Sequence, residues 1–226
     1  GVTSYQHIVL GGGMVAGYLA KEYVDNGGRS GDLAIFSADD ALPYERPPLS
    51  KSFLAGKDTE QSVLISQPDF YGKHGIELRR NIKIVSIDAE RKRLKTESGE
   101  EFAFEKLVYA TGAQVRKLDV PGASSENVLY LRSLTDSKRI HQRAANAKKA
   151  LVIGGGFIAM EVSSVLAGSG IETSMLIRDD RIWKTFFTPE MSAFFRKYYV
   201  DHGARVMAHP GRSWHVPEVS RTSAKA

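Results

Sequence analysis

Two stretches of this chain share one uncommon arrangement: a short apolar run, three glycines, then apolar residues at helical spacing. They are "IVLGGGMVAGYLAKE", starting at Ile8, and "LVIGGGFIAMEVSSV", starting at Leu151. A short apolar run ending abruptly at glycine reads as a buried strand. After the first run, Val15, Leu19 and Tyr23 follow a helical period as far as Asn26-Gly27-Gly28, and Leu33-Ala34-Ile35-Phe36 forms a second strand. After the other, Ile158, Val162 and Val165-Leu166 line one helical face. Gly168 and Gly170 end it, and Ser174 to Ile177 is the next strand. Strand, glycine turn, helix and strand, occurring twice, place the chain in the α/β class with two Rossmann-like three-layer dinucleotide-binding domains. The expected boundaries are 1–115 for the first domain and 116–208 for the second. Residues 209–226, "HPGRSWHVPEVSRTSAKA", have no strand period and read as an atypical tail.

Between these units the pattern is less regular. Ala41 to Leu64 holds prolines and no period, so it reads as loop, and Pro68 to His74 as a short helix. Ile82, Ile84 and Ile87 fit one strand, Ser98-Gly99-Glu100 a hairpin turn, and Leu107-Val108-Tyr109-Ala110 a buried strand. Ser133 to Ala147 is helical in character. Thr188-Pro189-Glu190 is a helix start, with a hydroxyl to cap it and proline at the first helical position. That helix runs to about His202-Gly203, with Arg205-Val206-Met207 following.

Composition removes several function classes. There is no cysteine, which excludes thiolate zinc sites and every mechanism using a protein dithiol. The net charge of +5 is modest and scattered, without the basic stripe of a nucleic-acid-binding protein, and Arg91-Lys92-Arg93 reads as a solvated turn. No apolar run approaches the roughly 18 residues that span a bilayer, and Gly1 to Tyr5 does not begin a secretory signal. The expectation is a cytoplasmic protein with no nucleic-acid or membrane partner.

A glycine-rich turn that opens a helix suits pyrophosphate for physical reasons. The first glycine permits the tight turn, and the second lets the backbone approach the phosphates. The helix N-terminus offers unpaired N–H groups and partial positive charge. A third small residue lets helix and strand pack closely. The candidates are Gly11, Gly13 and Ala16 in the first unit, and Gly154, Gly156 and Ala159 in the second. A carboxylate after the following strand accepts hydrogen bonds from ribose hydroxyls, which points to Asp39 (or Asp40) and Asp179 (or Asp180). The proline-stiffened loop Pro43 to Lys51 carries Arg46 and Lys51, fixed cations suited to phosphates and to an electron-rich flavin ring. Thr111-Gly112, just after a strand, marks a place where backbone meets a ligand or turns sharply.

These stretches, with "PYERPPLSK", "LVYATGAQVRKLDVPG", "LYLRSLTDSKRI" and "FTPEMSAFFRKYYVDHG", resemble the pyridine-nucleotide-dependent flavoprotein reductases. The likeness is to the ferredoxin-reductase-like and monodehydroascorbate-reductase-like group, and it covers about residues 5 to 207. The resemblance implies that the first unit binds FAD and the second NAD(P)H. Gly11, Gly13 and Ala16 then hold the FAD pyrophosphate, Asp39 the adenosine ribose, and Arg46 and Lys51 lie on the flavin side. Thr111, Gly112 and Arg116 complete part of that pocket. Gly154, Gly156 and Ala159 hold the NAD(P)H pyrophosphate, and Asp179 its ribose. Phe157 falls where the family often has an aromatic gate, and Glu161 where a carboxylate lies near the nicotinamide. Lys51 and Glu161 are thus the expected catalytic residues, and no metal is implied.

The implied reaction passes hydride from NAD(P)H to FAD, then electrons to a monodehydroascorbate-like radical or a ferredoxin- or rubredoxin-type carrier. Asp179 and Asp180 favour NADH, while Arg178 and Arg181 beside them and Ala159 suit a 2′-phosphate; the balance leans to NADH. Members of the group continue past this length, so both domains are expected to be incomplete and FAD to be retained poorly. The alternative reading is a non-catalytic nucleotide-binding fragment. The sequence leaves the acceptor and the oligomeric state open.

Overall fold

Ile8, Val9 and Leu10 are all buried, so the first apolar run is central to a sheet rather than at its edge. In the computed structural model, which describes residues 1–208, the run ends strand β1 (Thr3–Leu10). The glycines follow, then helix α1 (Met14–Asp25) and strand β2 (Leu33–Phe36), which lies parallel to β1 with Leu10 opposite Phe36. The described residues divide into two compact units, one of residues 1–49 and 58–114, the other of residues 50–57 and 115–208.

In the first unit, α2 (Phe70–Lys73) precedes β3 (Glu77–Arg79). Then come β4 (Ile84–Asp88), β5 (Arg93–Thr96) and β6 (Glu101–Tyr109). They form one six-stranded sheet in the order β3-β2-β1-β6-β5-β4, parallel from β3 to β6 and antiparallel beyond. Strand alternation gives the sheet two apolar faces. Ile8, Leu10, Ala34 and Phe36 pack against Leu94, Phe102 and Phe104. Val9, Leu33 and Ile35 face Ala16 and Ala20 of α1, with Tyr71 and Ile76. β6 pairs with β1 through Tyr109 but with β5 only over Glu101–Ala103. No strand among the described residues flanks 105–109 on that side, and there the expected burial fails. Leu107 and Val108 are half-buried and Tyr109 is 69% exposed.

The second unit begins with α3 (Leu134–Ala144). Ser133 accepts from the backbone N–H of Asp136, and the Asp136 carboxylate accepts from that of Ser133, a capping box that fixes the helix start. β7 (Lys149–Ile153), α4 (Phe157–Gly168), β8 (Glu172–Ile177), α5 (Pro189–Asp201) and β9 (Ala204–Ala208) follow. The sheet is parallel throughout, in the order β7-β8-β9. Its core holds Met160, Met175, Ile177, Ile182 and Val206. At Thr188 the side chain accepts from the Met191 N–H and Pro189 opens α5, the start its sequence signals.

The division into units departs from the expected 1–115 domain in one respect. Ser50–Lys57 goes with the second unit, because Leu54 is buried with Val162 and Leu166 of α4 and Ile171. The tail 209–226 lies outside the described residues.

Candidate functional site

Each residue of the first glycine turn has a distinct steric job. Gly11 sits at φ +116, and a Cβ there would come 2.1 Å from the carbonyl oxygen of Ala110. Its N–H donates to the carbonyl of Phe36, tying the turn to β2. Gly13 is the N-cap of α1 and offers no side chain to its N–H groups. The nearest atom to a Cβ there is a guanidinium nitrogen of Arg46, at 3.5 Å. Ala16, fully buried, packs the first turn of the helix on the sheet. The turn therefore presents helix N–H groups with a cation beside them, a cradle that fits a pyrophosphate. The backbone N–H of Arg46 donates to the Met14 sulfur, which fixes the loop to the start of the helix.

The second turn repeats the design. Gly154 has φ +144, and a Cβ there would lie 3.1 Å from that of Ala159, the small residue one turn into α4. Gly156 caps α4 with no side-chain bond, and nothing lies within 4 Å of where its Cβ would be. That open approach to the α4 N-terminus fits a second phosphate group. Phe157, the first helical residue, is 60% exposed and its ring rests on Trp183, with centroids 3.6 Å apart. Trp183 itself holds φ +52, a backbone conformation uncommon for a bulky residue.

Glu161 stands one turn further along α4. The Lys51 ammonium lies 3.3 Å from one carboxylate oxygen, and Ser50 donates to the other. All three groups belong to the second unit. Lys51, grouped with Arg46 in the sequence, belongs with the second unit and is paired there with α4. With side chains 56% and 28% exposed, this ion pair contributes about 0–1 kcal/mol and cannot by itself fix the segment. Burial of Leu54 contributes more, roughly 1.5–3 kcal/mol. The segment also closes on itself, with the N–H of Ala55 donating to Lys51 and that of Lys57 to Ser52. Finally, Nδ1 of His141 on α3 lies 2.7 Å from the Leu54 carbonyl oxygen. Sequence reasoning missed Ser50, Leu54 and His141; the only sign was an apolar "FL" inside a loop.

The remaining candidates are scattered. Asp39 is half-buried, and its carboxylate accepts from the Asp40 N–H at 2.7 Å. Asp40 is turned instead to Asn81, whose side-chain amide donates to its carboxylate. Thr111 and Gly112 are exposed at the end of β6, Gly112 with φ +70, and Arg116 is exposed in the second unit. Asp179 is exposed just beyond β8. Asp180 is bonded to Lys184, which holds its carboxyl below the usual range. Arg181, weighed above for a 2′-phosphate, is otherwise engaged. Its guanidinium donates to the carbonyls of Phe187 and Lys184 and to Ser192, holding the loop before α5.

A parallel-dominated α/β fold with two such turns is that of the flavin- and nicotinamide-dependent reductases. The family model "Pyridine nucleotide-disulphide oxidoreductase" matches residues 5–212. The chain belongs to this family. It is 36% identical over 226 residues to a monodehydroascorbate reductase of Pisum sativum, covering 91% of this chain and 51% of the relative. It is 34% identical over 215 residues to a rubredoxin-NAD(+) reductase of Pseudomonas putida, covering 92% and 56%. Among solved structures, the NADH:rubredoxin oxidoreductase of Clostridium acetobutylicum superposes with a TM-score of 0.82 at 26% identity, over 92% of this chain and 54% of that one. A ferredoxin reductase of Rhodopseudomonas palustris gives 0.81 at 34% identity, over 90% and 50%. The chain thus spans about half the length of these relatives.

Proposed function

We propose that the chain is the cofactor-binding part of an FAD-dependent NAD(P)H oxidoreductase, with each unit an incomplete Rossmann-like domain. The observation that carries this is the pair of glycine turns, each opening a helix at the end of a parallel strand, with clear space at Gly156 and only a guanidinium near Gly13. The bound cofactors would supply hydride transfer from NAD(P)H to FAD. The chain's own residues bind and orient. The α1 N-terminus and Arg46 take the FAD pyrophosphate, and Asp39 takes a ribose. The α4 N-terminus takes the coenzyme pyrophosphate, and Asp179 its ribose. Lys51, paired with Glu161, supplies a fixed cation at the reacting end, with Thr111, Gly112 and Arg116 in supporting contacts.

NADH is the preferred coenzyme. Arg181 is engaged in its loop, and a 2′-phosphate would face the Asp179 carboxylate. The acceptor in this reading is a small radical or a small iron–sulfur or rubredoxin-type protein, and these residues, with no cysteine, offer no dithiol to relay electrons to it. Relatives named for monodehydroascorbate and for rubredoxin support both choices. No helix among the described residues is long and apolar enough to cross a membrane.

The test is titration of the 226-residue chain with FAD, followed by flavin fluorescence, and with NADH. Both should bind; Arg46→Ala should weaken FAD alone, and Gly156→Val NADH alone. Failure of both nucleotides to bind at millimolar concentration would refute the proposal.

A further inference from the structure

We infer that His141 is a positioning residue for Lys51: it fixes the turn that sets the ammonium against Glu161. The inference rests on the role given to Lys51 under Proposed function. An ion pair as exposed as Lys51–Glu161 does not decide where its lysine stands, so the turn carrying it must be held by something else. Leu54 supplies apolar anchorage but no direction, because hydrophobic burial is not directional. Two directional contacts act on the segment: the Ser50 hydroxyl donates to Glu161 ahead of Lys51, and beyond Lys51 His141 Nδ1 meets the Leu54 carbonyl oxygen. The second contact fixes the tautomer, since a carbonyl only accepts and Nδ1 must carry the proton.

The shape of the turn is built around the same ring. Gly56 has φ +76, and a Cβ on it would lie 2.8 Å from Cε1 of His141, so the imidazole lies where a side chain at 56 would be. Ile140 and Ala144, on either side of His141 in α3, pack on the cluster that holds Leu54, Val162 and Leu166. The ring is therefore carried by a helix docked on the same apolar cluster as α4, which bears Glu161. Lys51 O accepts from Ala55 N–H and Phe53 O from Gly56 N–H, so a shift at Leu54–Gly56 passes directly to Lys51.

Two readouts separate this role from a general structural one. The first is lysine acetylation followed by mass spectrometry on the 226-residue chain, with Lys148 and Lys149 as internal references. His141→Phe, which keeps a ring but no donor, should raise Lys51 reactivity several-fold, to the level seen in Glu161→Gln. His141→Asn, whose amide reaches the Nδ1 position, should restore it. The references should not change. The second is the rate of FAD reduction by NADH with both nucleotides saturating, expected to fall at least five-fold in His141→Phe and to recover in His141→Asn. Unchanged Lys51 reactivity in His141→Phe overturns the inference. So does raised reactivity with normal reduction in His141→Phe when Lys51→Ala is slow. If Lys51→Ala reduces flavin normally while its reactivity still depends on His141, the role of Lys51 itself has failed, and the inference with it.

Discussion

Adjacent glycines in the first turn should fail in different ways when given a methyl group. At Gly11 a Cβ would meet backbone, 2.1 Å from the Ala110 oxygen and 2.6 Å from its carbon, and the φ of +116 is unfavourable for any L residue. Strain of that kind costs about 1–3 kcal/mol, and overpacking against an immobile neighbour about 1–3 kcal/mol more. The sum, about 2–6 kcal/mol, is a large share of the roughly 5–15 kcal/mol that holds a domain folded. At Gly12 the obstacle is a side chain: Ser37 Oγ at 2.2 Å and Cβ at 2.5 Å, with the nearest Ser37 backbone atom at 3.7 Å. Gly12→Ala should therefore cost about 1–3 kcal/mol, and Ser37→Gly should relieve most of it. Ser37→Gly alone should cost about 1 kcal/mol, since the Ser37 hydroxyl accepts from the Asp39 N–H. The double variant is then more stable than the sum of the singles by at least about 1 kcal/mol. Hydrogen exchange of the β1 and β2 amides reads this in the first unit by itself. Strict additivity of Gly12→Ala and Ser37→Gly, or a Gly11→Ala variant as protected as the parent, would refute the reasoning.

Three further outcomes are expected. Tyr71 is buried, and burial pushes its phenol up to about 12 from the ordinary 10.0. The folded form ionises later than the unfolded one, so its contribution is intact below pH 10 and is lost between pH 10 and about 12, up to about 3 kcal/mol, a slope that Tyr71→Phe lessens in urea titrations while the smaller part from Tyr5 and Tyr23, also raised, remains. Leu54→Ala should destabilise the second unit by about 2–5 kcal/mol, read from Trp183 fluorescence in a Trp214→Phe background, and equal midpoints would show that Leu54 is no anchor. Asp179→Ala should move coenzyme preference toward NADPH at least ten-fold in the ratio of dissociation constants, while Arg181→Ala leaves that ratio within two-fold.

Local pattern carried the elements that local chemistry determines. The glycine turns, the α5 start at Thr188-Pro189 and the hairpin at Gly99 all rest on a few neighbouring residues, and each is found where the sequence signals it. β3 was legible only as part of the strand-rich stretch from Ile76 to Ala110, because three residues, Glu77–Arg79, have no readable period of their own. Tyr109 misled because its apolar run is flanked by a strand on one side only. The arrangement of Lys51, Leu54, His141 and Glu161 was out of reach for another reason. Its partners lie 87 or more residues apart, and no spacing rule joins them. Lys51 and Glu161 were each picked out as candidates by type and position, but not as partners of one another. Arg181 shows the converse, a cation suited to phosphate whose donors are taken by two carbonyls and a serine.

The borrowing of residues 50–57 by the second unit has a consequence for the nascent chain. Leu54 finds its place only when α4 exists, and Leu166 follows it by 166 − 54 = 112 residues. At about 5–20 residues per second, that is roughly 6–20 s during which Leu54 has left the ribosome with no core to enter. The first unit must close its sheet while this apolar turn is still undocked. Chaperone capture and aggregation during synthesis should therefore centre on this turn, and slowing translation between residues 58 and 150 should prolong that exposure without altering the finished fold.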